Sequence, residues 1–422
     1  MGDCDKRGQT SAMKRFLRDG LLAACLAVMI SAFGTCGAAG TKLPVLMYHD
    51  LTTDPSKTNS MTVTDERFRL DMEFLQQFGY TPLLPADLIN IREGKMQLPD
   101  KAVMVTFDDG YRSNYDYAYP VLQNTGMKAA IAVVAHNIRQ EGDADSARHN
   151  MTWDELREMV DSGAVEVGSH TYNLHNPQYG GNNAPDGING VMRLKGESRS
   201  AYNARVGGDL SSSVQLILTH TGQEKVNYFS YPFGAYDSWM PDLLAQAGIQ
   251  VSALTNPGLS EISVTLQGLS RYGITMDRPV SALLRQTDQA VPALAAVSVN
   301  GELAKLPAYY INGNNYVRVR DVAVLLGGTG SAFNVEWNSG KNRVELQSFT
   351  PYTPLGTENA PLSGETRTVQ SITEPTVADS VPSMVAAYNV DGYTYYKLRS
   401  LGDLCGFAVD WDEESQTVIV TA

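Results

Sequence analysis

The chain has 422 residues, 43% of them hydrophobic and 19% charged, enough for about two or three domains with sizeable cores. Its formal net charge is −13 and its pI near 4.9, which argues against a nucleic-acid binder, since that needs a basic face, but leaves neutral or cationic glycans open as ligands.

The first elements read as an export signal over residues 1–39. Lys14, Arg15 and Arg18 form a basic region, residues 21–33 are an apolar run, and the small residues Gly37-Ala38-Ala39-Gly40 follow. The run is too short for a stable membrane-spanning helix. Met13 is an alternative start, and an uncleaved anchor or lipid attachment at Cys36 are alternatives to cleavage. Of the four cysteines, Cys4, Cys25 and Cys36 fall in or near this segment. Cys405 alone then belongs to the mature protein, so an exported form has no disulfide framework and relies on its core.

Residues 41–285 alternate strand and helix signals. Residues 43–48 are an apolar strand tipped by His49-Asp50. Residues 68–78 place Phe68, Met72, Leu75 and Phe78 near one helical face. Residues 102–107 are a buried strand that delivers Asp108 and Asp109 at its end, and residues 129–135 are another. Thr152 opens a helix, with Glu155 completing a capping box. Residues 165–169 are a short strand ending at His170, and further strands lie at 228–232 and 250–254. Polar residues at successive strand ends, with helices between, predict an α/β fold, a distorted (β/α) barrel carrying its site at one rim.

Residues 298–422 contain an internal repeat, with copies at about 298–347 and 381–422. Gly313 matches Gly392, Tyr316 matches Tyr395, Arg320 matches Arg399, and Trp337 matches Trp411. The Asx-Gly turns mark hairpins. Each copy therefore reads as hairpin, short helix, hairpin, making a small α+β repeat domain. Residues 348–380, rich in Thr, Ser, Pro and Glu, read as a linker or long loop.

The chemistry is concentrated in Thr106-Phe107-Asp108-Asp109-Gly110 and Ser169-His170-Thr171-Tyr172-Asn173-Leu174-His175. Together they offer a carboxylate and two imidazoles to a divalent metal, with a second carboxylate beside them. Adjacent strand residues point to opposite faces, so Asp108 and Asp109 share a site only if the turn at Gly110 re-aims one of them. His170 and His175 would lie on different faces of a helix and converge only from a turn.

These two motifs resemble the polysaccharide deacetylase family, the NodB-homology carbohydrate esterases. The resemblance covers the barrel region and implies removal of N- or O-acetyl groups from glycans. It implies that Asp109, His170 and His175 hold a divalent metal, zinc in first place with cobalt or nickel as alternatives, and that Asp108 is the general base. Two departures stand out. The third motif of the family carries an arginine where this chain has Ser230, in Ser230-Tyr231-Pro232-Phe233-Gly234, and the late Leu-x-His that supplies the acid has no counterpart. The opening Pro44-Val45-Leu46-Met47-Tyr48-His49-Asp50 is similar to the branch acting on poly-N-acetylglucosamine, in which the motif order is permuted and the acid comes from the position of His49. Leu269-Ser270-Arg271 also fits that branch, with Arg271 orienting Asp108. The C-terminal repeats resemble the small stalk-like domain named after the N-terminal domain of copper amine oxidases, and no His or Cys pair there supports a copper site.

The expectation is an exported or cell-surface, metal-dependent hydrolase that removes N-acetyl groups from a cell-wall or extracellular glycan, with metal-activated water, Asp108 as base and His49 as acid. Tyr231, Pro232, Phe233 and Tyr111 are its expected substrate-binding residues, and the C-terminal repeats are a candidate second contact with glycan. The rival readings are a non-catalytic glycan-binding protein on a retained barrel and an O-acetyl esterase.

Overall fold

The computed structural model describes residues 42–140, 149–175 and 190–422. The segment read as an export signal, with Cys4, Cys25 and Cys36, lies outside the described residues. No helix among the described residues is long and apolar enough to cross a membrane.

The first part is built on parallel strands: β1 (Val45–Tyr48), β2 (Ala102–Asp109), β3 (Ala129–Val133), β4 (Val165–Ser169), β5 (Tyr228–Ser230), β6 (Val251–Ala253) and β7 (Tyr272–Gly273). Their order is β6-β5-β4-β3-β2-β1-β7, with the short strand Thr81–Pro82 added beside β2. The segment before β7 closes the ring. Leu269 bridges to Ala253, the Arg271 amide donates to the Asn256 carbonyl, and Tyr272 then pairs with Leu46. The expected distorted barrel is the observed one.

The strands read as continuous apolar runs because both of their faces are covered. Alternate residues enter two cores. Val45, Met104, Ala130, Ala132, Tyr228 and Val251 fill the barrel, while Leu46, Val105, Phe107, Ile131 and Val133 face the surrounding helices. Small residues in the interior make room for large ones. A Cβ on Gly168 would lie 2.6 Å from a ring carbon of Tyr228 and 2.7 Å from its carbonyl oxygen, so β4 must carry glycine there. The outer helices include α1 (Asp65–Gln77), capped by Thr64, and α2 (Trp153–Asp161), with the Thr152/Glu155 capping box in place. A third, α3 (Gly208–Thr221), packs against β4 and α2.

The C-terminal region is an antiparallel sheet laid along the 13-residue β8 (Thr287–Val299), with one parallel pairing to Thr417–Thr421. This sheet begins ahead of residue 298, because β8 carries its pairing back to Thr287. Each repeat copy is a hairpin, a short helix (Val319–Leu325 or Leu398–Cys405) and a second hairpin. The stretch 348–380 is not merely a linker. Arg367–Ser371 joins the large sheet and Thr376–Ala378 pairs with Arg343–Ser348, as its β-branched Thr and Val residues favour. Cys405 is a buried free thiol.

This module packs directly on the barrel. The Arg69 guanidinium donates to the Pro382 carbonyl at 2.8 Å, and the Met384 amide donates to Glu73 at 2.9 Å. Lys101 Nζ donates to Gln286 Oε1 at 2.8 Å, and Phe78 meets Tyr388 edge-on. One hydrophobic cluster runs through both parts, from Phe74 and Phe78 to Tyr316, Tyr388 and Tyr395. Lys101 immediately precedes β2, an eight-residue strand whose far end carries Asp108 and Asp109. At the rise of a strand that is roughly 26 Å away. The module therefore braces the N-terminal end of the barrel.

Candidate metal and catalytic site

Strand ends bring the expected residues together at the C-terminal rim. Asp109 is the last residue of β2 and has φ of 73°, a left-handed conformation that a non-glycine residue adopts at about 1–2 kcal/mol of strain. That twist answers the facing problem. Asp108 keeps the inward direction of Met104 and Thr106, while Asp109 is rotated to the rim above it. The residue that turns is therefore Asp109 itself, with Gly110 following at φ 75°.

Asp109 Oδ1 lies 3.6 Å from the Nε2 atoms of both His170 and His175. It is buried and has no hydrogen-bond partner. His170 Nδ1 is 2.8 Å from the Ser230 carbonyl, which can only accept. The ring proton therefore sits on Nδ1 and the Nε2 lone pair faces Asp109. Burial, reinforced by His175 and resisted by Asp108, pushes His170 down to about 4, so it is neutral at physiological pH.

His175 reaches the same point from the turn after β4. Thr171 bends that turn at φ 77°, an outlier for a β-branched residue. Asp209 at the start of α3 clamps the turn by accepting from the Tyr172 and Asn173 amides, each at 2.8 Å. Ligand atoms of Asp109, His170 and His175 all lie within 4.8 Å of one another. An unpartnered buried carboxylate oxygen facing ring-nitrogen lone pairs is the donor chemistry a divalent metal such as zinc takes, so these residues fit one.

Asp108 is buried and held from behind. Arg271, 0% exposed, donates from Nη1 to Oδ1 at 2.8 Å and from Nη2 to Oδ2 at 2.7 Å. Its remaining donors reach the Leu254 carbonyl, Thr106, the Tyr228 hydroxyl and Ser230. The Ser230 hydroxyl donates to Asp108 Oδ2 at 2.9 Å. Burial alone would raise the Asp108 carboxyl, but the Arg271 charge, His170 and the Arg271 hydrogen bonds outweigh it and hold the group well below the usual carboxylate range.

His49 follows β1 and faces Asp108, with Nε2 3.9 Å from Oδ2, too long for a direct hydrogen bond. The Asn114 amide donates to its backbone carbonyl at 2.8 Å and fixes the strand tip. Burial, opposed by Asp108 and assisted by Arg271, lowers His49 to about 4.

The expected substrate-binding residues divide. Phe233 is 42% exposed, with φ 59°, and its ring stands 4.4 Å from that of His175, at the mouth of the site. Tyr111 is half-buried beside Asp109, and burial, followed by the Asp109 charge, pushes its phenol up to about 12. Tyr231 is only 1% exposed and packs among Phe229 and Tyr236, and Pro232 is also buried. Neither offers the open face that sugar stacking needs, so both support the loop that presents Phe233.

Ser230 and Asp209 were not anticipated. Ser230 stood out in the sequence only as the missing arginine. It contributes a carbonyl to His170 and a hydroxyl to Asp108, while the arginine arrives from the other side of the ring.

Residues 95–252 match the family described as polysaccharide deacetylase. The chain carries a polysaccharide deacetylase domain. Residues 298–420 match the copper amine oxidase N-terminal domain. The deacetylase domain is similar to YxkH of Bacillus subtilis (strain 168), which is named as a polysaccharide deacetylase. The two are 27% identical over 234 residues, covering 56% of this chain and 72% of that protein. It is also similar to the poly-β-1,6-N-acetyl-D-glucosamine N-deacetylase of Escherichia coli (strain K12). Identity there is 26% over 235 residues, covering 52% of this chain but 34% of that protein, about a third of its length. The solved de-N-acetylase of Aggregatibacter actinomycetemcomitans superposes with a TM-score of 0.50 at 25% identity, covering 58% of this chain and 99% of that one. The deacetylase domain is a hydrolase of this family.

Proposed function

We propose that the deacetylase domain removes N-acetyl groups from an exported or cell-wall polysaccharide of N-acetylglucosamine units, using a divalent metal, zinc, held by Asp109, His170 and His175. The observation that carries this reading is the buried Asp108–Arg271 pair set directly beside that triad, with His49 across the opening. A relative named as a poly-β-1,6-N-acetyl-D-glucosamine N-deacetylase supports the choice of sugar. Residues 1–39 are the proposed export signal, which would bring the enzyme to such a polymer.

A divalent cation in the triad supplies Lewis acidity, making water more acidic and polarising the acetyl carbonyl. Asp108 is the base that receives the proton from attacking water. Arg271 and Ser230 keep it ionised and aimed, so no protonated fraction has to be cleared near neutral pH. His49, lowered to about 4, is neutral at rest. It therefore acts as an acid only after gaining a proton during the reaction, and Asp108, 3.9 Å away, can give it through one bridging water. His49 then hands that proton to the departing amine nitrogen. The products are acetate and a glycan with a free amine. Phe233 offers the exposed ring for a sugar face at the entrance.

The test is acetate release by zinc-loaded protein from poly-β-1,6-N-acetylglucosamine, peptidoglycan and a chitin oligomer. Release from the first above the other two is expected. Release from none of them would reject the reading.

A further inference from the structure

The C-terminal module contains a cavity of about 540 Å³ that the deacetylase chemistry does not use. It lies between the large sheet and the smaller sheet that contains Phe333–Asn338 and Arg343–Ser348. Trp337 stands on its rim. On its strand, Phe333, Val335 and Trp337 share a face, and the first two are buried at 0% and 7%. Trp337 should follow them inward, yet it is 47% exposed, because the core ends there and the cavity opens. A smaller adjoining hollow shares Trp337, Val344 and Thr394 with the first and adds Tyr393, itself 38% exposed, with the Arg318 guanidinium 5.1 Å from its ring centre. Two exposed aromatic rings therefore flank one continuous groove.

The lining suits an uncharged, hydroxyl- and amide-bearing chain. Gln370, Asn389 and Thr394 present neutral donors and acceptors, and aromatic rings offer flat apolar surfaces of the kind the faces of pyranose rings cover. The charged residues lining the large cavity are Arg285, Arg343 and Glu374, and Arg343 is paired with Glu345 at 2.8 Å, which leaves Arg285 and Glu374 in balance. A chain studded with ammonium groups would find no net negative charge there to offset the cost of desolvating them.

We propose that this groove is a second glycan site, selective for N-acetylated over deacetylated chain. Resting on the proposed deacetylase reading, the C-terminal module then retains unprocessed polymer and releases what the barrel has already deacetylated. Trp411 is the counterpart of Trp337 and is similarly exposed at 43%, yet it lines neither hollow.

The experiment is calorimetric titration of the metal-stripped full chain, in which hydrolysis is off, with a β-1,6-linked N-acetylglucosamine hexamer and with its fully deacetylated form. The wild type should bind one more acetylated hexamer per chain than Trp337→Ala. Trp337→Phe should retain that event within about threefold in affinity, and Trp411→Ala, the folding and surface control, should leave it unchanged. The deacetylated hexamer should bind at least about tenfold more weakly in the same event. Equal stoichiometry for wild type and Trp337→Ala, or equal affinity for the two hexamers, would overturn the proposal. Acetate release by the zinc-loaded wild type is read in parallel. Release with unaltered Trp337→Ala binding rejects the groove alone, whereas a lost binding event without any release rejects the deacetylase reading alone.

Discussion

Replacing Arg271 with methionine tests the arrangement behind the proposed catalytic carboxylate, Asp108. The substitution keeps most of the volume but removes both charge-assisted bonds to Asp108, at 2.8 and 2.7 Å, from a fully buried pair. Only the Ser230 hydroxyl would then hydrogen-bond the carboxylate. An uncompensated charge of this kind costs about 3–5 kcal/mol. Asp108→Asn leaves the guanidinium equally stranded, so it should cost about the same. The double variant has no buried charge, and its loss should not exceed that of either single change, giving a coupling of about 3 kcal/mol or more. The assay is denaturant unfolding of metal-free protein followed by tryptophan fluorescence, since Trp153 and Trp239 both lie in the barrel. Losses that simply add would refute the idea that the two groups stabilise each other as a buried ion pair.

Other outcomes follow from the same geometry. His49→Gln should lower turnover by about 10²–10⁴ while leaving metal content unchanged. Because burial lowers His49 to about 4, the unfolded chain takes up its proton first as pH falls below the ordinary histidine value of about 6.5. The wild type should therefore lose stability relative to His49→Gln between about pH 6.5 and 4, read as a narrowing or reversing gap in melting temperature; a constant gap would contradict this. Asp209→Ala should free the Tyr172 and Asn173 amides and loosen the turn to His175, weakening zinc binding about 10–100-fold in a competition titration. Gly168→Ala should destabilise the barrel by about 1–3 kcal/mol in thermal or denaturant unfolding, since its methyl group meets both the ring and the backbone of Tyr228.

Much of the barrel was legible because its strands are short apolar runs bounded by helices with recognisable caps, such as Thr152 and Glu155. The proposed metal-ligating trio was legible as a set of residue types, but the way Asp109 comes to face the two histidines was not. Local pattern places adjacent strand residues on opposite faces, and only the left-handed backbone at Asp109 overrides this. Arg271 could be suspected from its motif, whereas its full set of hydrogen bonds depends on β2, β5 and the segment after β6 meeting inside the ring. Ser230 looked like a loss because a sequence shows a substitution but not the direction from which its replacement comes. Tyr231 misled for a related reason. An aromatic residue in a recognisable motif reads as a groove residue, yet the barrel wall needed its volume. The linker reading of 348–380 holds only for its first part, because polar β-branched residues such as Thr368 and Thr376 also build strands when a partner is available, β8 for Arg367–Ser371 and Arg343–Ser348 for Thr376–Ala378.

The proposed chemistry requires acetate release to depend on metal held by Asp109, His170 and His175 beside an ionised Asp108. The most direct measurement is metal content and acetate release on the same samples: wild type as purified, stripped by chelator and reloaded with zinc, alongside His170→Ala. Release should fall and return with occupancy in the wild type, and His170→Ala should lose both. Full release from the stripped enzyme, or a His170→Ala variant with normal metal content and turnover, would contradict that dependence.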